Sequence, residues 1–312
     1  MLPDRPAEVQ ADAARRFRAD AVLIGVTVVW GSSFVVVKNA FAQSPPLQFL
    51  FWRFLIAVVL IAPFLAARRR TPGLVRDGLV IGLLLAGGMS LQVLGIPGTS
   101  ASKAAFLTGL SVVLTPFAAW LRTRKLPSLE NGIGVTFAGA GFFLLTFPAV
   151  GGPVNRGDVL VFGCGVVFAF YIVELAERSA RHDAVWLTAF QLVTVVAVAG
   201  IASLALRLPA LAALPEAAAE ARPVVWRGTF LWSVLYLGSL GTVGTFFCQT
   251  WAQARMSATH AAIIFALEPV FAAILAAWLL GDHLGARGAA GGALVLAGIV
   301  VSEMRLSRAA PP

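Results

Sequence analysis

Glu268 and Pro269 stand side by side midway along "ATHAAIIFALEPVFAAILAAWLLGD", a nearly all-apolar stretch from Ala258 to Asp282. Glu268 is the one acidic residue between Arg255 and Asp282. A carboxylate in such surroundings is neutral, paired, or poised in a polar cavity. Pro269 offers no N–H, and its ring crowds the preceding turn. A helix therefore bends there and leaves a carbonyl unbonded. Two chemistries fit: a kink that locks two halves together, or a site that binds an amine or carries a proton. Pro116, in "TPFAAW", provides a second place to flex.

Other polar and aromatic groups lie inside apolar runs. "VVWGSSFVVVK" carries Trp30, Ser33 and Phe34, with Gly31 allowing close approach, and Lys38 at its outer end. Trp30 and Ser33 suit either substrate contact or an ordinary packing face. Arg53, in "FLFWRFLIA", is costly at that depth unless it is paired or reaches the headgroups; a gate or a substrate-carboxylate contact is the other reading. Gln92 and Gln249 each bring a donor and an acceptor. They can face a shared cavity or bond helix to helix. Phe168 and Tyr171 form an aromatic wall or generic packing, and Glu174 is four residues from Arg178, the spacing of a helical ion pair. Gly238, Gly241 and Gly244 recur at threes and suit close helix packing.

Nothing in this set makes a catalytic cluster. His182, His260 and His283 are scattered, and Cys164 and Cys248 read as small buried hydrophobes rather than as a disulfide. No catalytic residue, metal site or cofactor is expected.

The elements that must hold these groups are membrane helices. The 312 residues are 59% hydrophobic and 12% charged, too few polar groups to cover a soluble core. Ten spans fit: 21–38, 47–66, 76–96, 102–121, 131–149, 157–176, 184–206, 228–250, 257–280 and 288–304. With both ends in the cytoplasm, that side receives 16 of the 24 basic residues and the other side 7, Arg53 being left inside the membrane. This predicts an N-in, C-in chain. The formal charge of +9 sits in short gaps between apolar blocks, unlike the continuous basic face of a nucleic-acid binder. The basic-then-apolar start imitates a secretory signal but has no convincing cleavage site, so the first helix is read as retained. Residues 207–227 make the longest outer loop, with room for a surface helix.

The chain also repeats. "SASKAAFLTGLSV" from Ser100 returns as "SATHAAIIFALEP" from Ser257, which pairs Gln92 with Gln249 and Ser111 with Glu268. "DAVLIGVTVVW" from Asp20 returns as "DVLVFGCGVVF" from Asp158, which pairs Trp30 with Phe168. The expected fold is an all-α polytopic membrane protein of ten transmembrane helices in two inverted five-helix repeats, residues 21–149 and 157–304, with cytoplasmic tails at 1–20 and 305–312. Five is odd, so the second unit enters the bilayer upside down. This arrangement suits alternating access around a midplane site. The glycine-rich fifth and tenth helices, with Gly134, Gly141, Gly291 and Gly298 among others, suit tight contacts within the unit or between copies, hence a homodimer.

"VVWGSSFVVVKNAF", "FWRFLIA", "TSASKAAFLTGLSVVLTPFAAW" and "LEPVFAAILAAWLLGD" resemble the EamA family of the drug/metabolite transporter superfamily. The resemblance covers residues 20–303; "GDHL" and "RTRKL" depart from the family's usual loop pattern. It implies two inverted repeats and a central cavity, in a bacterial inner membrane, with export of small metabolites. Some members, among them aromatic amino acid exporters, carry amino acids. Carried onto this chain, the cavity residues are Trp30, Ser33, Gln92, Phe168, Tyr171, Gln249 and Glu268. The expected partners are a small-molecule substrate and the lipid bilayer, with no nucleic acid. The expected function is export of amino acids, aromatic and other mostly neutral ones, or related metabolites; broad drug or quaternary-amine efflux is the alternative.

Overall fold

The computed structural model describes residues 5–99, 101–146, 153–280 and 286–303. The C-terminal tail, the "GDHLG" loop at 281–285 and the terminal residues of the fifth and tenth expected spans lie outside the described residues. So do the side chains of Phe34 and Lys38.

The chain folds as α1 (Arg5–Phe41), α2 (Pro46–Ile61), α3 (Leu74–Gly95), α4 (Ala101–Gly109), α5 (Ser111–Thr123), α6 (Leu129–Thr146) and α7 (Arg156–Ser179). It continues as α8 (Ala184–Ala205), α9 (Pro215–Glu220), α10 (Gly228–Gly238), α11 (Thr245–Gln253), α12 (Ala258–Phe265), α13 (Glu268–Leu280) and α14 (Ala286–Glu303). Among the described residues, six helical stretches are long and apolar enough to cross a membrane: Pro46–Leu65, Leu74–Gly98, Lys103–Thr123, Arg156–Ser179, Ala184–Ala205 and Gly228–Gln253. Shorter apolar helices occupy Ala258–Ala272 and Ala286–Ser302. The chain is an all-α polytopic membrane protein.

Burial runs opposite to that of a water-soluble helix. On α8, Thr188, Gln191, Thr194 and Ser203 are buried while Val193, Ile201 and Leu204 face outward. Lipid accepts the apolar face, and polar groups must find partners inside the bundle. α1 is longer than its apolar core needs: at 37 residues it reaches about 55 Å, against a hydrocarbon core of about 30 Å. Its arginine-bearing first turns therefore extend beyond the apolar layer.

Two segments that read as single spans are broken. Leu110 separates α4 from α5, and Ala266 and Leu267 separate α12 from α13. A third span changes pitch: α10 and α11 are joined by a π-helical stretch, Ser239–Gly244. Helices α6 and α14 cross where glycine is small enough. A methyl group on Gly298 would come 2.7 Å from the Gly134 carbonyl oxygen, and one on Gly134 would come 2.8 Å from that of Gly298. The glycine stripe is thus used, at Gly134 and Gly298, inside this chain between α6 and α14.

The loop at 207–227 holds the surface helix α9, whose last residue, Glu220, is fully buried. Its carboxylate accepts from the backbone N–H of Leu47 and Gln48, each at 3.1 Å, and from Ser203 at 2.7 Å. The proline-led start of α2 has no side-chain cap of its own, so Glu220 satisfies donors that would otherwise be left bare.

Candidate functional site

The break before α13 sets the geometry. Pro269 supplies no donor to the Phe265 carbonyl, and the backbone tightens ahead of it, with Leu267 N–H bonding Ile264 at 3.0 Å and Ala266 N–H bonding Ile263 at 3.1 Å. Glu268 is half-buried. Among the described residues its carboxylate has no hydrogen-bond or ionic partner. Helix α1 meets this break through Gly31: a Cβ there would lie 3.0 Å from the Glu268 carbonyl oxygen and from the Ala272 nitrogen.

One residue earlier, half-buried Trp30 stacks at tilted angles on Phe246 (5.7 Å) and Phe265 (5.5 Å). Its indole N–H donates to the Thr245 hydroxyl at 3.1 Å. Phe168 makes the related contact in α7, lying over Gly88 and 6.3 Å from the Tyr171 ring. Thr245 is 157 residues beyond Gly88, the spacing that also relates Gln249 to Gln92. Ser33 is buried and bonds back to the Val29 carbonyl at 2.8 Å.

The two glutamines differ. Gln92 is half-buried and donates to Thr108 at 3.3 Å, between α3 and α4. Gln249 is buried, accepts from Tyr171 at 3.5 Å and donates to Gln253 at 2.9 Å. Tyr171 in turn donates to Gln191 at 2.8 Å, and Gln191 bonds Thr250 at 3.2 Å. Tyr171 and Gln249 therefore belong to a network tying α7, α8 and α11 together, while Trp30, Gln92, Phe168 and Glu268 keep partly accessible surface. Pro116 is buried inside α5, nearly two turns past the Leu110 break.

The sequence did not reveal the partner of Arg53. It is buried in mid-α2, and its guanidinium donates to the Thr242 hydroxyl at 2.7 Å and the Gly241 carbonyl at 2.8 Å. Both acceptors lie in the π-helical stretch, where wide turns expose backbone carbonyls. Gly238 provides the close approach: a methyl there would lie 3.0 Å from the Arg53 carbonyl. A lone Arg in an apolar helix followed by a helix rich in glycine was the available signal.

Ionic contacts close both ends of the bundle. At the expected outer end, Lys103 pairs with Asp158 at 2.5 Å, and Thr99 donates to the same carboxylate at 2.5 Å. At the expected inner end, His260 contacts Asp20 at 3.1 Å and Ser302 at 2.9 Å. Also on that side, Glu174 accepts from Arg122 and from Arg178, each at 2.6 Å. Arg178 also bridges to Asp77, which is 2.9 Å from His182. The expected Glu174–Arg178 pair is present and belongs to this larger chain of charges. Among the described residues, no three His, Cys, Asp or Glu side chains gather as a metal site.

Two stretches of the chain, residues 17–147 and 155–304, each match the EamA-like transporter family. An uncharacterized transporter of Archaeoglobus fulgidus is 27% identical over 296 residues, covering 95% of this chain and 89% of that protein. A second from the same organism is 25% identical over 91% of this chain and 97% of its own. The uncharacterized transporter YvbV of Bacillus subtilis is 25% identical over 56% of this chain and 59% of its own. A protein solved by crystallography superposes with a TM-score of 0.73 at 17% identity, over 92% of this chain and 96% of the other, a likeness of fold. With both halves matched, the chain belongs to the EamA-like transporter family and is a membrane transporter rather than an enzyme.

Proposed function

We propose that this chain exports amino acids, aromatic and other mostly neutral ones, or related small metabolites across a bacterial cytoplasmic membrane. It does so by alternating access of two inverted five-helix repeats, residues 21–149 and 157–304, ten spans with both ends in the cytoplasm. The observation that carries this reading is a set of contacts repeated at matched positions. Lys103 and His260 are 157 residues apart, and Asp158 and Asp20 head the two related segments. Each basic residue of one unit meets the leading aspartate of the other unit. One pair falls at each end of the bundle, as inversion requires. The breaks at Leu110 and Leu267 obey the same spacing. Trp30 meets Thr245 and Phe168 lies over Gly88; Thr245 and Gly88 keep that spacing, while Trp30 and Phe168 are paired like Asp20 and Asp158, 138 residues apart. Rocking one unit on the other then opens one pair while the other stays closed, around the interrupted helices.

Substrate class follows from the accessible groups. Trp30 and Phe168 suit an apolar or aromatic side chain. Gln92 and Glu268, the latter without a partner among the described residues, suit an ammonium or other donor. Arg53 is already committed to the Gly241 carbonyl and Thr242, so a fully anionic solute gains little to offset its desolvation. Flux of neutral, basic and acidic amino acids in proteoliposomes tests the reading; preference for acidic ones refutes it.

Drug or quaternary-amine efflux is the second reading, favoured by the one observation that Glu268 has no partner among the described residues. Glu268→Gln separates the two. In amine efflux it abolishes cation flux and leaves neutral solutes nearly untouched; in amino-acid export it lowers flux of zwitterions.

A further inference from the structure

We propose that the cytoplasmic ends of α1, α8 and α11 form a binding site for the phosphodiester headgroup of an anionic phospholipid. A cavity of about 740 Å³ opens there, within the range of about 300–1,000 Å³ typical of ligand clefts. Arg15, Arg18, Arg68 and Arg255 all line it. The acidic residue on its wall, Asp183, is engaged: it pairs with Arg68 at 2.9 Å and caps the start of α8. Arg15, Arg18 and Arg255 have no carboxylate partner among the described residues. Positive charge converges on the cleft and is not neutralised from within. The guanidinium of Arg255 lies 4.1 Å over the Trp251 ring and donates to the Trp251 carbonyl, which folds it back along α11 at the cleft wall.

The apolar part of the lining decides the class of anion. Phe247 and Trp251, one turn apart on α11, also face the cleft. A soluble phosphate has no use for that surface, whereas a lipid places its glycerol and acyl carbons against it while its phosphate meets the arginines. The cleft also lies at the ends of the apolar stretches Ala184–Ala205 and Gly228–Gln253 rather than at their middles. It is bounded by the last turn of α11 and the first residues of α8, where the anionic leaflet attracts basic groups. None of Trp30, Gln92, Phe168 and Glu268 lines this cleft, and the proposal rests on the sidedness reading only for the leaflet it names.

The test uses the full chain purified in neutral detergent. Thermal unfolding is followed on adding phosphatidylglycerol, phosphatidylcholine or inorganic phosphate. The proposal expects phosphatidylglycerol to raise the midpoint and phosphatidylcholine not to. In the triple variant Arg15→Gln, Arg18→Gln, Arg255→Gln, apparent affinity for phosphatidylglycerol falls about a hundredfold, since each basic residue at the surface contributes several-fold. Arg222→Gln with Arg227→Gln, on the opposite face, keeps the response. If the triple variant does not fold, Arg255→Gln alone must still weaken the response. Equal stabilisation by inorganic phosphate, equal stabilisation by phosphatidylcholine, or a full response in the arginine variants overturns the proposal.

Discussion

Two glycines on α1 receive the same substitution with opposite expected results. Gly25 has nothing within 4 Å of a built Cβ. Gly25→Ala therefore removes backbone freedom from a helix interior at no steric cost and gains up to about 1 kcal/mol. Gly31→Ala receives the same gain but meets the break between α12 and α13. Its Cβ would lie 3.0 Å from both the Ala272 nitrogen and the Glu268 carbonyl oxygen, and 3.3 Å from the Phe271 Cβ. Two of these are backbone atoms, so relief requires α1 and α13 to separate by a few tenths of an ångström. α1 is held from the other side by Trp30 on Thr245 at 3.1 Å and by Ser32 on Tyr236 at 2.8 Å. Overpacking of this kind costs about 1–3 kcal/mol. The two variants should differ in stability by about that amount, with Gly25→Ala the more stable. Thermal unfolding in detergent gives the comparison, and proteoliposome flux reports whether spreading the break slows transport. Equal midpoints for the two variants, or a stabilised Gly31→Ala, would refute the claim that α1 is seated directly on the Glu268–Pro269 break.

Three further perturbations test the interior. Tyr171→Phe strands the buried Gln191 acceptor, a loss of about 1 kcal/mol at membrane depth; with the hydroxyl bonded inside the protein, the KM for transported solutes should not move, and a raised KM at unchanged stability would assign Tyr171 to substrate. Lys103→Gln leaves the Asp158 carboxylate buried without its counter-ion and should destabilise the outer end by about 3 kcal/mol, measured as a lower unfolding midpoint and faster labelling of Cys164 from outside. Glu220→Ala bares the first N–H groups of α2 and the Ser203 hydroxyl, with an expected loss of about 1–3 kcal/mol, and should speed protease cleavage in residues 207–227 without changing substrate preference.

Several features were legible because they are local. A helix-breaking Glu268-Pro269 in an apolar segment predicts an interruption, and one is found at Ala266–Leu267. The Glu174–Arg178 spacing predicts its ion pair. What stayed hidden was orientation around each helix axis. The glycines of the eighth span were read as a packing stripe; Gly238 does pack on α2, but Gly241 presents its carbonyl to Arg53 from a π-helical turn. Gln92 and Gln249 occupy matched positions yet have unlike partners, because Tyr171 and Gln253 reach one and Thr108 reaches the other.

The amino-acid order by itself determined that the chain lies in a membrane, that it is helical, that its pattern recurs after 157 residues, and that one helix is interrupted at Glu268-Pro269. These follow from composition, apolar run length and proline chemistry, each readable within a short window. Tertiary structure alone decided which polar groups meet. A soluble helix announces its inner face by amphipathic period, but a membrane helix is apolar toward lipid and toward its neighbours alike, so the period carries little phase. Arg53 and Gly241, 188 residues apart, find each other only when the packing of small residues has fixed the rotation of both helices.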